Sequence, residues 1–341
     1  MNIQKHLYIL LRHGSRSMVL FMLFFCYNQT WAAETKQGED FIMHHISDAH
    51  EWHLATIGKV HITLPLPIII YSKDRGIEIF SSSRFLDEHH HQVPYRGYRL
   101  NEHGKLIALA GDRVFYDLSV TKNVASMLTS VLIMLSVVLV AARRYRDKPQ
   151  ATPRGFWAFL ELVICFVKDE IAIPNIGHKN YSRFMPYLLS VFFFIWLNNL
   201  MGLLPGAANV TGNISVTLVL ALFTFVLTII NGNKHYWMHV FNPPGVPKWL
   251  VPIMIPVEFL GLLTKPFSLM IRLFANITAG HIILLSIISL IFIFQTELVG
   301  FISVPFGAFM LLLKLLVAFL QAYVFTLLSA IYFGIATEDH E

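Results

Sequence analysis

The sequence predicts an all-α polytopic membrane protein of about five transmembrane helices, including two long tilted C-terminal ones, with a small extracytoplasmic N-terminal segment. Three observations carry that expectation. Hydrophobic residues make up 55% of the 341 positions and charged residues only 14%, with a mean hydropathy of +0.57, far from the averages of soluble domains. Apolar runs long enough to cross a bilayer recur from residue 124 onward. Lysines and arginines cluster beside those runs, so the net charge of +5 reads as orientation information and not as a nucleic-acid footprint.

Residues 1–33 read as a signal peptide. Lys5, Arg12 and Arg16 precede the apolar run MVLFMLFF, and Ala32 and Ala33 come just before acidic Glu34. A non-cleaved signal anchor is the competing reading. Residues 34–120 are polar, contain nine histidines, and carry the short runs HITLPLPIII, GIEIF and YRGYRL. Such alternation predicts a small β-rich or irregular extracytoplasmic segment, with no obvious hydrophobic core. Cys26 and Cys165 are the only cysteines, so no disulfide framework is expected.

Residues 121–341 form the expected membrane domain. Residues 124–142 can span, and Arg143, Arg144, Arg146 and Lys148 follow at once, which assigns that end to the cytoplasm. Residues 156–173 include Glu161, Lys168, Asp169 and Glu170 and predict an interfacial or re-entrant helix. Residues 184–204 then cross outward, and residues 214–230 return toward Lys234 and Lys248. The last two apolar stretches, 251–294 and 298–335, each exceed a perpendicular span of about 30 Å at about 1.5 Å per residue. Each must tilt, lie partly along the membrane, or break. Single crossings leave the acidic tail of Glu338, Asp339 and Glu341 in the cytoplasm.

Arg272 sits deep inside the first of these stretches, some twenty apolar or small residues ahead of the next charge, Glu297. A guanidinium does not shed its proton, and holding one at mid-membrane depth costs about 3 kcal/mol or more. At about 100° per residue, Glu258 falls about +40° from Arg272, Lys265 about +20°, Ser268 about −40° and Asn276 about +40°. One polar stripe therefore runs along an apolar helix. Lys265 reads as a residue that snorkels to head groups, and Pro256 and Pro266 are expected to interrupt the segment and shift the phase of Glu258. Glu258 and His281 lie about 21 and 14 Å from Arg272 along a straight axis, on opposite sides of it, and His281 points about 180° away. These positions assign His281 to an outer access route and Glu258 to a cytoplasmic one. A histidine hydrogen-bonded between helices is the alternative for His281, and a helix-packing amide the alternative for Asn276.

The runs TKPFSLMIRLFANITAGH at 264–281 and FLQAYVFTLLSAIYF at 319–333 resemble subunit a of the F-type ATP synthase. WLNNLMGLLPG around Asn199 and TGNISVTLVLAL from Thr211 extend the resemblance to roughly residues 120–341. It implies a proton-translocating stator subunit in a bacterial inner membrane, non-catalytic itself and free of cofactor or metal. The implied partners are a c-subunit ring, a b-subunit peripheral stalk and other ATP synthase subunits. Arg272 is then the arginine that faces the ring carboxylates, and Gln321 the glutamine packed beside it, able to accept from it. Lys314 departs from the family, which commonly places a carboxylate or histidine there; pairing with Glu297 or another carboxylate is the favoured reading. Asn213 and Ser215 stand where relatives often carry Asp and Asn, which makes the outer vestibule less acidic.

Two other readings stay open on sequence. A stand-alone secondary transporter would use Arg272 for an anionic substrate, but it should show inverted repeats and none is visible. His44, His45, Asp48, His50, Glu51 and His53 pose a metal reading, or one of proton collection at the outer mouth, though no second paired set accompanies them.

Overall fold

The computed structural model describes residues 50–57, 60–73, 75–85, 93–101, 106–109, 115–147, 154–203, 208, 210–241, 250–294 and 297–338. The expected signal segment lies outside the described residues, as do His44, His45, Asp48, His89–His91 and the side chains of Glu51, His53 and Glu297. The chain divides into two compact units, one of Met1–Ser126, Met201–Ala208 and Gly280–Leu315, the other of Met127–Leu200, Asn209–Ala279 and Leu316–Glu341.

In the first unit the polar segment folds into short antiparallel strands. β1 (Glu51–Ile57) pairs with β2 (Val60–Pro65). β3 (Pro67–Ser72) is the centre of a three-stranded sheet between β4 (Gly76–Ser81) and β7 (Phe115–Asp117), while β5 (Tyr98–Leu100) pairs with β6 (Leu106–Ala108). Contrary to the expectation from composition, this segment has a core. Ile68 and Ile70 of β3 meet Tyr98, Leu100 and Leu106 of the β5–β6 pair, with Phe85 closing one end. Period-two burial on β3 and β5 makes this a two-layer sandwich.

His50 is buried and shares a 3.1 Å hydrogen bond with Asp117 of β7. Burial raises the Asp117 carboxyl, but bonds from His50 and Ser119 outweigh it and hold the group at about 2. A carboxylate depressed in the folded state contributes stability above its unfolded value near 4 and loses it as pH falls toward 2.

The helices begin with α1 (Lys122–Asp147), whose apolar run satisfies the length a bilayer demands and whose end carries Arg143, Arg144 and Arg146. Arg144 lies over the Trp157 ring, 5.7 Å from its centre, and Tyr145 donates to Glu161 at 2.9 Å. Both contacts hold the end of α1 on α2 (Phe156–Phe166). A π-helical turn at Val167–Ala172 then leads into α3 (Ile173–Ile176). The turn buries Val167, Ile171 and Ala172 while Asp169 and Glu170 stay exposed, as an interfacial segment requires.

α4 (Tyr181–Met201), α5 (Ile214–Ile230), α6 (Lys234–Phe241), α7 (Val251–Phe294) and α8 (Glu297–Thr337) complete the order. Among the described residues four helices, α1, α4, α7 and α8, are long and apolar enough to cross a membrane, and the α5–α6 pair, bent by 102°, makes up to five. α7 runs unbroken through Pro256 and Pro266, where the sequence predicted interruption. Each proline removes one backbone donor, a loss the rest of a 44-residue helix absorbs.

Within the second unit, Phe192, Leu188 and Ile195 of α4, Leu269 and Leu273 of α7, and Phe325 and Phe333 of α8 form the principal core. Phe184 stacks on Phe333 with ring centres 4.6 Å apart. α8 lines this core with small residues, Ala318, Ala322, Ser329 and Ala330, which let backbones approach closely. The extreme case is Gly334, where an added Cβ would overlap the Asn175 carbonyl oxygen of α3.

Gly334→Ala should therefore lower the amount of folded subunit in membranes sharply, by a cost of about 1–3 kcal/mol or more, because backbone must move to admit the methyl. Gly280→Ala, whose methyl would meet only the flexible Lys314 side chain at 3.4 Å, should accumulate normally. Immunoblots of membranes checks both. For the sandwich, hydrogen exchange of the β3 and β7 amides in the intact complex, corrected for intrinsic rates, should show protection falling between pH 4 and pH 2. Asp117→Asn should abolish that step and exchange faster at pH 7.

Candidate functional site

The site lies on α7, where burial alternates with helical period. Leu262, Pro266, Leu269, Met270 and Leu273 are buried in the second unit. The opposite stripe of Thr264, Ser268, Arg272, Ala275, Asn276 and Ala279 is exposed. Among the described residues, the Arg272 guanidinium makes no hydrogen bond or salt bridge within the chain.

One turn along, Asn276 donates to the Gln321 amide oxygen of α8 at 3.1 Å. Gln321 is buried, so this bond satisfies an acceptor that would be costly to orphan. The resemblance implies that Gln321 accepts from Arg272; in the structure the donor to Gln321 is Asn276, and the guanidinium points outward. Asn199 supports the same region of α8, donating to the Ala318 carbonyl at 3.3 Å and accepting from Thr211 at 2.7 Å. The Asn199 and Thr211 motifs thus act as buried braces.

Glu258, toward the start of α7, lies 3.8 Å from His239 Nδ1 of α6. The ion pair exists when His239 is protonated, and both groups are accessible to water. Between Glu258 and Arg272, Lys265 does not simply snorkel. Its ammonium sits over the rings of Tyr332 and Tyr236, 5.4 and 6.0 Å from their centres. Beside it a cavity of about 10 Å³ is lined by Thr224, Thr228, Tyr236, Lys265 and Tyr332, and the Tyr236 hydroxyl is buried there with no hydrogen-bond partner among the described residues. Sequence reasoning missed His239, Tyr236 and Tyr332. The aromatic octet KHYWMHVF of α6, three residues after an apolar span, was the signal that could have found the first two.

Asn213, expected in an outer vestibule, is the N-cap of α5, where its side chain accepts from the Ser215 amide at 2.9 Å. In the first unit, His281 is half-buried and hydrogen-bonded or otherwise engaged, and Lys314 packs its stem against Gly280. Among the described residues Lys314 makes no ion pair, so the expected carboxylate partner is not found there.

Removing the Asn276 amide tests the brace. Asn276→Ala should destabilise the subunit by about 1–3 kcal/mol by orphaning the buried Gln321 oxygen, and Gln321→Leu added to it should restore part of the loss. Thermal melts of the purified complex measure both.

Comparison with known proteins follows the same residues. A family model described as "ATP synthase A chain" matches residues 124–334, and a domain of unknown function designated DUF8433 matches residues 41–126. An ATP synthase subunit a of Anaeromyxobacter sp. (strain Fw109-5) is 38% identical over 327 residues, 92% of this chain and 75% of that protein. The ATP synthase subunit a of Myxococcus xanthus is 45% identical over 244 residues, covering 70% and 79% of the two chains. ATP synthase subunit a 2 of Chlorobaculum tepidum is 40% identical over 317 residues, 91% of this chain and 76% of that one. By these matches across its helical part and most of its length, the chain belongs to the ATP synthase subunit a family, a membrane-sector subunit of the F-type complex.

Proposed function

We propose that this chain is the proton-conducting, non-catalytic stator subunit, with Arg272 as the charge against which ring carboxylates ionise. The observation that carries this reading is the exposure of Arg272 on an α7 stripe with no hydrogen-bond or ion-pair partner among the described residues. A ring carboxylate surrounded by lipid stays protonated, because ionising it there is costly. Beside a guanidinium at about 4 Å, at an effective dielectric near 20, its charged form gains about 4 kcal/mol. Each carboxylate therefore gives up its proton on approach to Arg272 and reloads after passing. The same fixed charge stops protons running directly between the two access routes.

In this reading Glu258, with His239 and Lys265, serves the cytoplasmic route, and His281 with Lys314 the outer one. Ser268 flanks the guanidinium on the exposed stripe, and the Asn276–Gln321 bond keeps α7 from rolling it inward. Asn213 caps α5 with its side-chain oxygen and in this reading stands on the outer route through that fixed position. The partners are the c-ring, the b-subunit stalk and the remaining ATP synthase subunits, in a bacterial inner membrane. Residues 1–33 would be a removed signal, residues 34–120 extracytoplasmic, and the C-terminus cytoplasmic. Each proton crossing 100 mV supplies about 2.3 kcal/mol, so several must pass for each ATP made.

ATP-driven pumping by inverted vesicles, compared at equal assembly, tests the arginine. Arg272→Ala should lose pumping while the detached catalytic head still hydrolyses ATP, and Arg272→Lys should recover little, since an ammonium lacks the planar fork and loses its proton on burial more readily. Normal pumping by Arg272→Ala would end the reading. Lys314→Glu should change the pumping rate severalfold in the same assay; an unchanged rate would remove Lys314 from the outer route.

A further inference from the structure

The three-stranded sheet of the N-terminal unit is built with apolar residues on both faces. Its inner face is the core already described, which Ile68 and Ile70 enter. On its outer face, register places Ile69 opposite Ile79 and Tyr71 opposite both Ile77 and Tyr116. Leu118, whose amide donates to the Ile69 carbonyl, extends the first row. The result is a grid of six side chains in two rows. Ile77, Ile79, Tyr116 and Leu118 are each 60–67% exposed, and the Tyr71 and Tyr116 rings stack at 6.4 Å.

β4 shows how deliberate the pattern is. GIEIFS turns Ile77 and Ile79 outward and Glu78 inward, where Glu78 takes a hydrogen bond from Tyr98 and an ion pair from Arg96. An antiparallel sheet with one face in water reads the other way, apolar in and polar out. A strand covered on both faces reads as a near-continuous apolar run, as PIIIYS does. The far layer of the sandwich sets Arg99 opposite the exposed Ile107, with Leu109 also exposed, so its apolar surface is broken by a charge. Among the described residues the continuous apolar grid is on the β3 side.

The covering phase is identified by the chain itself. After β7 the backbone stays bonded to β3, with Leu118 donating to Ile69 and Val120 to Pro67, while the Ser119 hydroxyl accepts from the Ile69 amide. The membrane-length helix α1 starts at Lys122, two residues beyond the last of these bonds. No slack linker separates the sheet from the start of α1. Tyrosines at the edge of an apolar surface suit the head-group boundary, where one end of the ring is dry and the other wet. Lys73, exposed on the β3–β4 turn, can reach lipid phosphates from the same sheet, while Arg75 is held by the Arg96 carbonyl and by Glu78.

We infer that the outer face of this sheet is a lipid-contact platform, lying on the bilayer surface where α1 enters it. The domain is then a monotopic element and not a free appendage, and it orients the chain at the membrane boundary.

The assembled complex in liposomes of phosphatidylethanolamine and phosphatidylglycerol tests this, with Cys26 and Cys165 changed to serine and one nitroxide placed at Ile79→Cys. Leu118→Cys, in the same row, guards against a single disruptive label, and Arg99→Cys on the far layer is the water-facing comparison. Collision of the nitroxide with oxygen should exceed collision with a nickel chelate severalfold at 79 and 118, and the order should reverse at 99. Nickel collision at 79 and 118 equal to that at 99 would put the face in water and overturn the inference. Low collision with both reagents would mean a protein subunit covers the face, and would overturn it equally.

Discussion

A guanidinium carried by an apolar helix with no counter-charge among the described residues is an expensive placement, and this chain makes it on an exposed helix stripe. The rest of the membrane domain is arranged so that the placement persists. Large rings pack on one side of α7 and α8, small residues let the helices close up, and the Asn276–Gln321 bond fixes the rotation of α7 at one turn from Arg272. None of these contacts neutralises the charge. No counter-charge for it stands among the described residues, so an open face suited to a passing carboxylate fits this geometry better than a pocket closed around a substrate.

The cost of keeping the site open is carried by neighbours with satisfied polar groups. Asn199 spends its amide on Thr211 and on the Ala318 carbonyl, and Asn213 spends its side chain on a helix end. Lys265 finds the faces of two tyrosines, and Glu258 a histidine. The polar residues of the family-like motifs therefore divide into braces, whose bonds are internal, and an exposed set around Arg272.

The sequence was most legible where a single residue violated its surroundings. Arg272 and the stripe through Ser268 and Asn276 followed from helical period alone, because nothing in an apolar run competes with that signal. The partners were not legible. Gln321 bonding Asn276 and not Arg272, and His239 meeting Glu258, depend on how distant helices face each other, which period does not encode. The prolines misled for a related reason: their local cost was overridden by packing along a long helix. In the N-terminal segment, short strands concealed a core because its apolar residues are few and come from strands far apart in sequence, Ile68 and Ile70 meeting Tyr98 and Leu106.

The most direct test of the central claim is disulfide cross-linking in the assembled complex, with cysteines at Ser268 on the exposed α7 stripe or at Phe223 on the exposed side of α5, each paired with a cysteine beside the ring carboxylate. The account predicts a rapid oxidative cross-link from Ser268→Cys that arrests ATP-driven pumping and reverses on reduction. A cross-link from Phe223→Cys with none from Ser268→Cys would contradict it, placing the rotor on a different face of the subunit.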